Sequence, residues 1–256
     1  MTKQLLLLLL AIGQLALSPL LFAQRFDQGA ARPPLAAAAN PATPAGYAFI
    51  IWGFIYLGSL ALAVYALTAA GRADPLIDRI IRPCIAGFGL YLLWLVAASK
   101  GPVWLTVPII IGIGLALGSA LFTVLTCPQP LGWVRQVAVA APLGLYFEWL
   151  TAAMFVNAAD VLPGCGFNRI GLVPAMFGML VIAAAGALAI AFVALAGPHP
   201  AYVAAVLWAL AGVIVRNGTS SLENMVALAA GVAILALLIA VFWFANARRS
   251  DAMLPI

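Results

Sequence analysis

Long apolar runs separated by short polar stretches set the pattern of this chain. A bilayer core takes about 20 apolar residues per helix. Runs of that order fall at 4–23, 46–70, 83–99, 104–126, 134–159, 170–197, 200–216 and 222–246. They predict eight helices, the third and seventh being the shortest. The breakers "GRADPLIDRIIRP" (71–83), "TCPQPLG" (126–132) and "LPGCG" (162–166) gather Pro, Gly and charge and read as short loops. One longer hydrophilic segment, "QRFDQGAARPPLAAAANPAT" at 24–43, is either a linker or a cap over the mouth of the first helices. The first run, "LLLLLLAIGQLALSPLLFA", competes with a signal peptide. Its length, and a leucine where a cleavage site wants a small residue, favour a retained helix.

Composition decides what surrounds these helices. The chain is 66% hydrophobic and 7% charged, with a mean hydropathy of +1.15. Soluble domains carry about a quarter charged residues, so the solvent here is lipid. A barrel would show short alternating strands, and long runs exclude it. The fold expected is therefore all-α: a polytopic membrane bundle of eight transmembrane helices. The net charge of +5 is spread over loops and ends, where it serves orientation and headgroup contact; nucleic acid would want a clustered patch. With the N-terminus inside, Lys3, Arg72, Arg79, Arg82, Arg135, Arg248 and Arg249 lie in the cytoplasm. Arg25, Arg32, Lys100, Arg169 and Arg216 lie opposite, seven against five. The expected location is a bacterial inner membrane. Cys84, Cys127 and Cys165 lack metal-ligand spacing, and with eight spans Cys127 and Cys165 fall on opposite sides and cannot pair.

Some residues exceed what lipid asks for. Trp52, Tyr56 and Ser59 follow at i, i+4 and i+7 on one face of the second span. Tyr47, near the end of that span, fits an interfacial belt. Trp52 and Tyr56 lie deeper, so they either pack against a neighbour or line a cavity. In the fifth span Pro142, Tyr146, Trp149, Ala153 and Asn157 form a second stripe. Glu148 sits mid-span, where an ionised carboxylate costs about 2.5–3.5 kcal/mol. Its helical angle is about 100° from that of Trp149, which puts it on the flank of the stripe. A bond between helices and a ligand or proton contact are both open to it. Gly114 and Gly118 allow close helix packing. The stretch "NGTSSLEN" (217–224) reads as a helix N-cap, and His199 in "GPHPAY" as a surface residue in a turn. Neither a nucleophile–base pair nor a phosphate loop is visible, so an enzyme is not the expectation.

In these two helices the chain resembles the translocator protein family, the tryptophan-rich sensory proteins (TspO/MBR). The second helix of that family opens on prolines and continues to a Trp and a Tyr four residues apart. Pro44, Trp52 and Tyr56 occupy those places, with Thr43 for the first proline. In the family's fifth helix a Trp is followed by a small residue four on and an Asn eight on, as Trp149, Ala153 and Asn157 are here. The third helix departs more: Tyr91 and Pro102 align, Ala98 and Gly101 replace the usual Asn and Trp, and Trp94 and Trp104 are displaced stand-ins. The similarity covers about 4–160. It implies a five-helix TspO-like bundle over 1–165, with 24–43 as its long first loop. Residues 166–256 form a three-helix C-terminal extension, as in a larger subgroup.

The resemblance implies a lipophilic pocket for a tetrapyrrole, sterol or lipid, with no other cofactor. Trp52, Tyr56, Tyr91, Trp94, Tyr146, Glu148, Trp149, Ala153 and Asn157 would line it, and Pro44 and Tyr47 would belong to the lid. The function expected is ligand binding for sensing or transport. The alternatives are a proton-coupled carrier using Glu148, a membrane enzyme subunit acting on a lipid or pigment, and an assembly protein whose pocket is filled by its own side chains. Membrane lipids and a hydrophobic small molecule are the expected partners, with a homo-oligomer left open.

Overall fold

A computed structural model of the chain describes residues 1–27, 40–166, 171–218 and 224–253. All regular structure among them is helical. Eight helices are long and apolar enough to cross a membrane. They are α1 (Thr2–Asp27), α2 (Ile51–Leu67), α3 (Pro75–Lys100), α4 (Thr106–Leu125), α5 (Ala141–Val161), α6 (Pro174–Ala196), α7 (Pro200–Asn217) and α8 (Asn224–Met253). Their backbone bonds close within each helix, as a hydrocarbon surround demands.

Start signals place several of them. Asp74 caps α3, its carboxylate accepting from the Leu76 N–H at 2.9 Å, with Pro75 in the first turn. Pro174 and Pro200 likewise stand in the first turns of α6 and α7, without a side-chain cap. A helical turn (Trp133–Arg135) and a π-type turn (Gln136–Ala140) lead into α5, so the fifth span runs 29 residues, Trp133–Val161.

The stretch 71–83, expected as a loop, is a correction. Ala69–Arg72 is a short helical turn, and α3 already begins at Pro75. The Asp-Pro pair is a start signal that outweighs the nearby charges. Asp78, in the first turn of α3, lies 3.9 Å from Lys3 of α1. Pro83 sits inside α3.

α5 is the axis of the bundle. It packs against α2 and α4 on one side and α6 and α7 on the other, while α1 joins α2 and α3, and α8 joins α6 and α7. Of the most apolar window of the fifth span 61% is buried, against 22% for the first and 17% for the eighth. Inside a membrane no hydrophobic force drives helices together, so close van der Waals contact must do so. Gly118 supplies one such place: a Cβ there would lie 2.6 Å from the Phe147 ring of α5. Gly114, one turn away, meets Met154 likewise, so the small-residue face of α4 is the seam with α5.

Candidate functional site: an aromatic cluster beneath a clamped loop

The two stripes do turn toward each other. Trp52 of α2 stacks on Tyr56 with ring centroids 5.6 Å apart and lies 5.2 Å from Tyr91 of α3. It meets Tyr146 and Trp149 of α5 edge-on, at 6.1 and 6.3 Å. Trp94 stacks on Tyr91 at 6.1 Å, and Phe88 stacks on Tyr146 at 5.9 Å. Offset and edge-on pairs at such spacings are attractive beyond the area they bury. Tyr56, Tyr91, Tyr146 and Trp149 are buried, while Trp52 and Trp94 are half-buried. Six aromatic site residues expected from the sequence are thus brought together, and they touch one another.

Polar atoms thread this cluster. Tyr56 and Tyr91 share a hydroxyl–hydroxyl bond. Ser18 of α1 lies 3.4 Å from the Tyr91 hydroxyl and donates to the Gln14 carbonyl at 2.6 Å. Other buried groups have no hydrogen-bond partner among the described residues: the Trp94 Nε1, the Tyr146 hydroxyl, and both side-chain atoms of Gln14. Gln14 is fully buried. An unpaired polar group in hydrocarbon costs several kcal/mol, on the order of the free energy of a hydrogen bond or more. Sequence reasoning missed Gln14 and Ser18, although Leu7, Ala11, Gln14 and Ser18 follow helical spacing on one buried face of α1.

Above the cluster, the end of the first loop is clamped. The Ala45 N–H donates to the Gly212 carbonyl at 2.9 Å, and Asn217 Nδ2 donates to the Pro41 carbonyl at 2.8 Å. Asn40 Nδ2 donates to Asp160 Oδ1 at 2.9 Å, and Trp208 Nε1 donates to the Ala48 carbonyl at 2.8 Å. Gly212 permits the approach, because a Cβ there would sit 2.9 Å from that of Pro44 and 3.0 Å from that of Ala48. Tyr47 stands edge-on to Trp208 at 5.5 Å, and Phe49 edge-on to Trp149 at 5.5 Å. So 40–48 caps the described bundle, held by α5 and α7; residues 28–39 of the expected loop lie outside the described residues.

The remaining site residues go elsewhere. Asn157 bonds across helices, its Oδ1 accepting from the Thr106 hydroxyl of α4 at 3.1 Å. Ala153 is half-buried one turn above Trp149. Glu148 is not on the flank of the stripe. It shares the opposite face of α5 with Gly144 and Thr151 and lies within electrostatic reach of Tyr202 on α7. The reason is geometric: the stripe spans Tyr146 to Ala153, and at 100° per residue Glu148 falls about 130° from its middle. His199 is also corrected: it is buried, 5% exposed, at the start of α7. The capping expected at 219–223 lies outside the described residues.

The family model described as TSPO-like protein matches residues 4–243. The chain belongs to the TSPO-like family. The match reaches into the eighth described span of this TSPO-like chain, beyond the 4–160 on which the resemblance rested. No curated protein and no solved structure matches it. It is an integral membrane protein of that family, and among its described residues no group of three or more His, Cys, Asp or Glu could hold a metal.

Proposed function

We propose that this TSPO-like chain binds a flat hydrophobic ligand, a tetrapyrrole or a lipid, at the aromatic cluster, for sensing or transport in a bacterial inner membrane. The observation that carries this reading is the set of orphaned polar atoms: Trp94 Nε1 and the Tyr146 hydroxyl within the cluster, and the Gln14 amide on α1 one turn from Ser18, which reaches Tyr91. Apolar walls with a few convergent polar groups are the usual make-up of a ligand site. The rings touch, so the guest enters as Trp52, the half-buried member that contacts four of the others, turns aside and stacks on the guest's flat face.

The test is a tryptophan-quenching titration with protoporphyrin on the native chain, Trp52→Ala and Trp149→Ala. Both variants should bind more weakly, by tenfold or so if about 1.4 kcal/mol of contact is lost. The ring-to-ring packing itself favours a second reading, in which the cluster is a filled core and the protein serves assembly. In that case both variants lose thermal stability and keep the native titration curve.

A further inference from the structure

The side of α5 turned away from the aromatic cluster carries a second polar group. Glu148 is 2% exposed, and its Oε2 has no partner among the described residues. On α7 the Tyr202 hydroxyl, within electrostatic reach of Glu148 and beside Thr151, and His199 Nδ1 are also buried, with no hydrogen bond of good geometry among the described residues. Three such atoms at one two-helix seam are not a finished structural network, which would leave none of them idle.

We propose that Glu148 exchanges a proton with the end of the bundle through His199. Gly144 makes the approach feasible. A Cβ there would lie 3.1 Å from His199 Nδ1 and 3.2 Å from the Tyr202 backbone nitrogen, so the imidazole lies directly over that turn of α5. Glu148 follows four residues later on the same face, with Cβ atoms about 5–6 Å apart at that spacing. Helical side chains lean toward the preceding turn, which aims the carboxyl at Gly144 and the imidazole above it. His199 Nε2 lies 3.3 Å from Gln136 Oε1. In the tautomer whose Nε2–H donates to that oxygen, Nδ1 keeps the lone pair. Thr151, one turn further in, spends its hydroxyl proton on the Phe147 carbonyl at 3.0 Å.

The transfer balances simply. A proton leaves the Glu148 carboxyl, directly or through one water, and joins Nδ1. That gives a carboxylate and an imidazolium, and the imidazolium releases its Nε2 proton to water at the bundle end. His199 lies near that end, one short turn after Gly197, where Arg248 donates to the Leu195 carbonyl at 3.1 Å. The other groups around Glu148 do not compete. α6 carries no titratable side chain, and neither does α4. Tyr146 and Tyr56 belong to the aromatic face, and Arg135 is held by Asp74. The site stands independently of the ligand reading above.

Infrared spectroscopy of the full-length protein in phospholipid vesicles tests it. The native chain should show a protonated-carboxyl stretch, present or appearing on acidification, that is missing from Glu148→Gln. On transfer to heavy water this band should shift at least about tenfold more slowly in His199→Phe than in the native chain, a modest value for a lost acid–base partner. Exchange at the native rate in His199→Phe, or no band assignable to Glu148, overturns the proposal. Should Glu148→Gln fail to fold, the native chain can be treated with dicyclohexylcarbodiimide, which modifies protonated carboxyls in apolar surroundings. Peptide mass spectrometry should then find Glu148 modified, less so as pH rises. No modification at any pH overturns it equally.

Discussion

Asp74→Ala should be among the most damaging single changes at the membrane edge of this bundle, because one carboxylate there does three jobs. It accepts from the Leu76 N–H at 2.9 Å, from the Tyr65 hydroxyl at 3.1 Å, and from Arg135 Nε and Nη2 at 2.8 and 2.9 Å. The helix cap is worth about 1 kcal/mol. The tyrosine bond adds about 1 kcal/mol. The two-pronged ion pair falls between the exposed and buried cases, since the Asp74 side chain is 2% exposed and that of Arg135 30%. An intermediate value is about 2 kcal/mol. Asp74→Ala should therefore cost about 4 kcal/mol, and Arg135→Ala only about 2, because it leaves the cap and the tyrosine bond in place. The double variant should be no worse than Asp74→Ala alone, a coupling of about 2 kcal/mol. Reversible unfolding in mixed micelles, followed by helical circular dichroism, measures all three. Equal losses from the two single variants, or a coupling near zero, would refute this division of labour.

Two further outcomes are expected. Gly212→Leu should push 41–48 off α7, since even a Cβ there meets Pro44 and Ala48; a loss of about 1–3 kcal/mol is due for such overpacking. Protoporphyrin titrations of the same variant should weaken if the clamp covers the ligand, and micelle melting curves supply the stability half of the test. Burial pushes the His199 imidazole below its ordinary range. The folded chain thus binds that proton less well than the unfolded one. Its contribution is complete above the unfolded value of about 6.5 and is lost as pH falls below it. Melting temperatures taken through that window should drop more in the native chain than in His199→Gln, and parallel drops would contradict it.

Much of the fold could be read from the chain because the bilayer imposes a length and a polarity on each span. Apolar runs alone located all eight helices, and the aromatic stripes of α2 and α5 meet across the bundle, ring against ring. The reading failed where one local signal had to be weighed against another. At 71–83 the charges suggested a loop, yet an Asp-Pro start was enough to begin α3 early. Glu148 and His199 were misplaced for a different reason. Glu148 lies about 100° from Trp149, but Trp149 is one edge of the stripe and not its middle; His199 reads as a turn residue until Gly144 of α5 packs against it. Gln14 and Ser18 escaped notice because a leucine-rich first run invites a signal-peptide reading. Only the fold shows that one side of it is buried against α3.

The clamp over the aromatic cluster also sets an order of assembly. Asn217 and the Pro41 carbonyl that it grips are 176 positions apart in the chain. A ribosome threading this polypeptide into a membrane delivers the gripped segment first and its fastener near the end. The early spans can meet and pair their rings while the entrance above them is held only from α5, by the Asn40–Asp160 bond. The molecule is closed only when the seventh span arrives, so a product that stalls before it would carry its aromatic interior without a roof.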